Sequence, residues 1–114
     1  MKTINYKDAE KRLFELNNIV NIKEDVYLTA FEFVLKENNK FIKNINFNIY
    51  ILFVNEIQFD FDHNDTDKYC KIEIRSKDKK VTLTAFFYEN RDGYPVIEDI
   101  EFNDIFLKVK DFFK

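Results

Sequence analysis

The chain is poor in the residues that form sharp turns, disulfides and phosphate-binding loops. Its 114 residues include one glycine, one proline, one cysteine and no tryptophan. Phosphate-cradling loops need several glycines so that the backbone can approach the ligand. Gly93 alone cannot supply them, so the sequence excludes a Walker loop and a dinucleotide-binding fingerprint. Asparagine is the next most tolerant of left-handed backbone. We expect it at the turn positions, which are Asn17, Asn18, Asn38, Asn39, Asn64 and Asn90.

Signals for membrane insertion, secretion and disulfides are also lacking. The longest apolar run covers residues 49–54, whereas a membrane helix needs about 18 apolar residues or more. The N-terminus carries charge but no apolar stretch of the signal-peptide type. Cys70 has no partner for an internal disulfide, which favours a reducing compartment. We therefore expect a cytoplasmic protein without a membrane partner, in which Cys70 is a small core residue.

Helical spacing marks both ends of the chain, and alternation marks its middle. A length of 114 residues predicts a single domain over residues 1–114. Apolar residues three and four apart predict helices at 6–16, ended by Asn17 and Asn18, and at 105–113, capped by Asn103. Alternating apolar and polar residues predict strands at 26–36, 41–54, 56–62, 68–75, 81–88 and 96–102. Short connections favour antiparallel pairing. The sequence thus predicts an α+β fold, with an N-terminal helix, an antiparallel sheet of five or six strands, and a C-terminal helix packed on one sheet face.

The segment 56–62 shows the alternation most clearly. Its apolar residues, Ile57, Phe59 and Phe61, alternate with polar ones, among them Asp60 and Asp62. We expect the two aspartates to be exposed, because alternation directs them away from the core. The odd-numbered apolar residues from 45 to 53 are likewise expected to face the core. The predicted core comprises Ile45, Phe47, Ile49, Phe59, Phe61, Ile72, Leu83, Phe87, Phe106, Val109 and Phe113.

Charge is unevenly distributed along the chain, around a net value of −3. Residues 56–67 contain acids and no lysine or arginine, and residues 68–80 have more basic than acidic residues. Residues 89–104 contain several acids and one basic residue, Arg91. A negative net charge disfavours nonspecific nucleic-acid binding, so we expect no nucleic-acid partner. The alternation fits two arrangements, cross-strand charge pairing or an acidic patch at one end of the sheet.

Potential catalytic or metal-binding side chains are few. His63 lies among Asp60, Asp62, Asp65 and Asp67. A calcium loop beginning at Asp62 would place Asp67 where glycine is needed for the sharp turn. A histidine base lacks a second histidine or a nucleophile motif to act with. We therefore expect His63 in an exposed turn, no catalytic residues, no metal, no cofactor and no enzymatic activity.

The polar face of the sheet is the strongest functional lead. It is predicted to collect aromatic rings and carboxylates, which suit a protein-binding surface directed at a basic partner. The candidate partner-binding residues are Tyr50, Gln58, Asp60, Asp62, Tyr69, Glu73, Thr84, Phe86 and Tyr88. The first hypothesis is a small acidic inhibitor, such as an immunity protein or antitoxin neutralising a basic, nuclease-type toxin, or a phage inhibitor of a defence enzyme. The alternative is a homodimeric structural or small-ligand-binding domain. An acidic edge at residues 98–104 is a second possible interface.

Overall fold

The computed structural model describes residues 6–36, 45–63 and 65–114, with side chains from residue 9 onwards. The elements are α1 (Tyr6–Ile19), α2 (Glu24–Lys36), β1 (Ile45–Phe53), β2 (Glu56–His63), β3 (Tyr69–Lys77), β4 (Lys80–Tyr88), β5 (Val96–Asp99), a 3₁₀ helix (Phe102–Asp104) and α3 (Ile105–Phe112). The predicted α+β class, with an antiparallel sheet between terminal helices, is confirmed. Predictions for residues 37–44 and Asn64 lie outside the described residues.

The first helix runs further than the sequence suggested. Ala9 and Leu13 are buried on one side of α1, as the spacing predicted. Asn17 and Asn18 do not end the helix, which continues to Ile19. The Asn17 side chain instead accepts a hydrogen bond from the Ile22 backbone N–H at 3.2 Å, so it stabilises the connection to α2.

The predicted strand at 26–36 is wrong, because this segment is the helix α2. Its buried residues, Val26, Ala30, Phe33 and Val34, recur at helical spacing on one face. The abundance of phenylalanine, valine and threonine suggested a strand, and packing against the sheet overrides that weak preference. Acidic residues in the first turn and Lys36 in the last complement the helix dipole.

The five described strands form one antiparallel meander in the order β1-β2-β3-β4-β5. The register sets Phe47 opposite Phe61 and Ile49 opposite Phe59, so apolar side chains of neighbouring strands share a face. Helix α2 packs on this face, as the 5.1 Å separation of the Phe33 and Phe59 rings shows. A register shift between Ile51 and Phe53 sets Phe53 opposite Glu56. Phe53 therefore leaves the core, contrary to the alternation, and is 66% exposed.

The left-handed backbone conformation occurs at residues other than the asparagines that the sequence predicted. Within the described ranges, the residues with positive φ are Asp78 (53°) and Lys79 (65°), and the asparagines predicted for this role at 17, 18 and 90 are not among them. Asp78 and Lys79 form the two-residue turn between β3 and β4. Such a turn requires positive φ at both central residues to match the twist of the strands. Hairpin geometry, rather than residue preference, decides the conformation here.

The last strand is shorter than predicted, whereas the final helix begins at Ile105 as predicted. After β5 ends at Asp99, the Ile100 N–H donates to the Leu83 carbonyl at 3.0 Å. The residue that caps α3 is Asp104, without a side-chain capping bond, rather than the predicted Asn103. The Asn103 side chain accepts a hydrogen bond from Lys36 Nζ at 2.7 Å instead.

Most of the predicted core is buried. Seven of the eleven residues are in the core, and four are half-buried. Those four are Leu83, Phe87, Phe106 and Phe113. They lie in or next to β4 and α3. The Phe112 ring of α3 lies 5.1 Å from Phe87 of β4.

Candidate functional site

The strand register brings all nine predicted partner-binding residues to one face of the sheet. Tyr50 pairs with Gln58, and Asp62 with Tyr69. The pairing continues across β3 and β4, where Tyr69 faces Tyr88. The positions are Tyr50, Gln58, Asp60, Asp62, Tyr69, Glu73, Thr84, Phe86 and Tyr88. We call this set the open face, because ring contacts such as Phe33–Phe59 and Phe87–Phe112 join helices to the opposite side.

Aromatic rings form the apolar part of the open face. Tyr69 and Tyr88 lie directly across β3 and β4, with ring centroids 5.3 Å apart. Lys71 Nζ lies 4.5 Å from the centroid of the Phe86 ring. The Arg91 guanidinium lies 5.7 Å from the Tyr69 ring. These cation–π contacts favour the observed ring positions.

The carboxylates of the open face are paired with cations of the same chain. Glu73 is bonded by Arg75 at 2.7 Å and lies 3.8 Å from Lys71. Arg75 also bonds Glu56, and Arg91 bonds Asp62. Of these ion pairs, Arg75–Glu56 joins neighbouring strands, the two pairs of Glu73 lie within β3, and Arg91 reaches Asp62 from the loop after β4. A basic partner at this face must compete with these internal cations.

Asp60 is held inside the open face rather than exposed on it. It is half-buried and accepts a hydrogen bond from Gln58 Nε2 at 2.6 Å. Burial raises the pKa of the Asp60 carboxyl, while hydrogen bonds from Gln58 and Tyr69 oppose the shift. Burial, together with the Asp60 contact, raises the pKa of the Tyr69 hydroxyl. The expectation that Asp60 and Asp62 are exposed is wrong, because neighbouring side chains cover both.

Unpaired acids lie at the β5 side of the molecule. Asp99, Glu101 and Asp104 are exposed and form no ion pair with any other described residue. This is the acidic edge that the sequence suggested as a second interface. Its charge is available to solvent, unlike that of the open face.

A groove of about 450 Å³ lies beside this edge, between β5 and α3. Apolar side chains from β4, β5 and α3 form part of its wall, and three carboxylates add negative charge. The lining residues are Phe87, Glu89, Val96, Glu98, Lys108, Asp111 and Phe112. Lys108 donates to Glu98 at 2.8 Å, and this hydrogen bond raises the pKa of Lys108.

A serine cluster that sequence reasoning missed ties α2 to the sheet. Ser76 Oγ donates to Asp25 Oδ2 at 2.7 Å and accepts from Lys23 Nζ at 3.0 Å. Serine beside lysine is one arrangement for nucleophilic catalysis. Ser76 is only 2% exposed, however, so its hydroxyl is not placed to meet a substrate. The cluster joins residues that are far apart in sequence, so no local sequence pattern indicated it.

His63 and Cys70 both have structural surroundings. His63 is the last residue of β2 rather than part of an exposed turn, and its ring lies 6.2 Å from Phe113. Its Nδ1 accepts the Asp65 backbone N–H at 3.1 Å. Cys70 is a fully buried free cysteine, as expected of a core residue. Burial raises the pKa of the Cys70 thiol, which disfavours the reactive thiolate.

The described part of the chain has neither a cluster of metal ligands nor a membrane-spanning helix. Nowhere in it do three or more His, Cys, Asp or Glu side chains gather as a metal site. None of its helices has the length and apolarity needed to cross a bilayer. A comparison with protein-family models, curated proteins and solved structures found no match.

Proposed function

We propose that this chain is a non-catalytic inhibitor that binds a basic protein through the open face. The observation that carries the proposal is the Tyr69–Tyr88 pair, with Phe86 beside it, on the side of the sheet that faces away from the core helices. Such rings supply large contact area at low entropic cost and dominate many protein interfaces.

The polar network around the rings supports the same function. Lys71 and Arg91 hold Phe86 and Tyr69 in position, so little side-chain freedom remains to be lost on binding. Preorganisation of this kind raises affinity by reducing the entropic cost of association. A rigid sheet with fixed rings is a better binding platform than a mobile loop.

Charge supports a basic partner. The net charge is −3, and exposed acids at Asp65, Asp67 and Asp99 lie around the sheet without ion pairs to other described residues. Charges in such positions steer a partner of opposite sign during encounter. An immunity protein or antitoxin bound to a nuclease-type toxin, or a phage inhibitor of a defence enzyme, acts in this way in the cytoplasm.

The experiment is a comparative capture from native lysate at low salt, with the neighbouring open reading frame co-expressed. The baits are the wild-type chain, a Phe86→Ala/Tyr88→Ala double variant, and a Phe14→Ala control. Phe14 is an exposed aromatic residue on α1, away from the open face. The proposal expects a basic protein retained by the wild type and the control and lost by the double variant. Equal retention by all three baits would refute the open face as the interface.

A second candidate is a homodimeric structural or ligand-binding domain. It is favoured by the exposed apolar residues Leu52, Phe53 and Val54 at the end of β1, which a second copy could cover. The mass of the purified protein in solution separates the two functions. A monomer favours the inhibitor, and a stable dimer that Phe53→Ser dissociates favours the second candidate.

A further inference from the structure

The free edge of β5 differs chemically from the other edge of the sheet. Within the described residues, β5 pairs with β4 alone. At the opposite edge, β1 carries no charged residue over its nine positions. β5 contains Glu98 and Asp99 and continues into Glu101 and Asp104. An added strand at the β5 edge would therefore meet negative charge.

The backbone of β5 is oriented for pairing. Ile100 N–H donates to Leu83 O, and the register places Ala85 opposite Glu98. These two pairs are in the same phase of the antiparallel ladder. Asp99, which lies between them, and Ile97, on the other side of Glu98, therefore direct their backbone N–H and C=O groups outwards. Their side chains project on the open-face side, and Ile97 is 58% exposed. An extended segment could pair with these outward groups without disturbing β4.

The groove beside β5 would receive alternate side chains of such a segment. Val96 and Glu98 line the groove from the strand, and Phe112 lines it from α3. Glu89 and Asp111 add carboxylates, against Lys108 as the one lysine or arginine in the lining. Lys68 lies 4.0 Å from Glu89 and Lys114 lies 3.4 Å from Asp111, so a bound cation would exchange with these lysines. The exposed acids beside the groove, described above, have no ion pair with another described residue. A lysine or arginine side chain fits this combination, because its aliphatic stem packs on apolar surface while its charged head reaches a carboxylate.

We propose that the β5 edge binds an extended basic segment of a protein partner as a sixth strand, with alternate lysine or arginine side chains in the β5–α3 groove. The chemistry is that of β-strand addition, in which main-chain hydrogen bonds give affinity and side-chain pockets give specificity. The inference takes its partner class, a basic protein, from the proposed function. It uses a different surface, so the two can fail separately.

The test is an amide NMR titration of the full chain with a synthetic ten-residue peptide that alternates lysine and valine. A peptide with glutamate in place of lysine is the matched control ligand. We expect saturable shifts at Ile97, Asp99 and Phe112 with the lysine peptide and none with the glutamate peptide. Ile97→Pro removes one outward N–H, and loss of that hydrogen bond should weaken binding about fivefold to tenfold.

Asp111→Lys provides a second variant, since this exposed residue on α3 changes the groove without touching the strand. It should also weaken the lysine peptide, whereas Glu32→Lys, the same charge change on exposed α2, should not. Absence of saturable binding, or equal binding by all variants, overturns the inference. Shifts confined to Tyr69 and Tyr88 also overturn it while agreeing with the proposed function. Binding at β5, with no partner captured through the open face, would support the inference and refute the proposed function.

Discussion

The rings of Phe33 in α2 and Phe59 in β2 lie 5.1 Å apart and join the second helix to the sheet. Phe59 is fully buried, and its ring also contacts Phe47 of β1 at 5.3 Å. Three elements therefore meet at one aromatic cluster. This packing leaves the opposite face of the sheet for other contacts.

Truncation of Phe59 tests the importance of this cluster. Phe59→Ala should lower the free energy of unfolding by about 3–5 kcal/mol, because it removes buried apolar contacts and leaves a cavity. Urea unfolding followed by circular dichroism measures the change. The matched control is Phe14→Ala, an exposed phenylalanine whose loss should change stability by less than about 0.5 kcal/mol. Similar losses in the two variants would show that the core is assigned wrongly.

The β3–β4 turn offers a stabilising substitution. Lys79 has a φ of 65°, a conformation that disfavours side chains with a Cβ atom. Lys79→Gly should raise the free energy of unfolding by about 0.5–1 kcal/mol, the relief of strain less the extra freedom of glycine in the unfolded chain. Lys79→Ala is the control, because it removes the charge and keeps the Cβ. An equal gain in both variants would point to charge rather than backbone strain.

The Asp25–Ser76 contact should make stability depend on pH. The hydrogen bond from Ser76 is the main influence that lowers the pKa of Asp25 below its ordinary value of 3.8. A lowered folded-state pKa gives stability that is fully present above the ordinary value and is lost as the pH falls through the folded value. Ser76→Ala should move the pKa of Asp25 upwards and weaken this acid dependence.

Carboxyl NMR titration of Asp25 measures the shift directly. Thr29→Ala is the control, because the Thr29 hydroxyl bonds the Asp25 backbone carbonyl rather than the carboxylate. An unchanged Asp25 pKa in Ser76→Ala would contradict the proposed cause.

Calcium should have no effect on stability. In a calcium loop starting at Asp62, Glu73 would be the twelfth-position ligand, but Asp62 bonds Arg91 and Glu73 bonds Arg75. Thermal unfolding with excess calcium and with EDTA should give the same midpoint. A midpoint several degrees higher in calcium, lost in Asp62→Ala, would establish a metal site.

Local alternation and helical spacing were sufficient to predict the sheet, its two faces and both terminal helices. They failed at 26–36, where the spacing of the apolar residues fits a helix as well as a strand. The preference of phenylalanine, valine and threonine for strands then favoured the wrong element. They also placed Phe53 in the core, since a bulge is invisible in the pattern. At the candidate site, alternation put Asp60 and Asp62 on the correct face. It could not show their burial, which depends on Tyr69 and Arg91 from other strands and turns.

The most direct measurement is the binding kinetics of the captured basic partner with variants of the open face. Tyr88→Ala should speed dissociation about 30-fold if the ring is a buried anchor worth about 2 kcal/mol, with little change in association. Asp67→Lys, at an exposed acid without an ion pair to another described residue, should instead slow association and weaken its salt dependence, as expected when a steering charge is reversed. The control, Leu35→Ala on the exposed side of α2, should leave both rates unchanged. Wild-type dissociation in the Tyr88 variant, with wild-type association in the Asp67 variant, would contradict a binding role for the open face.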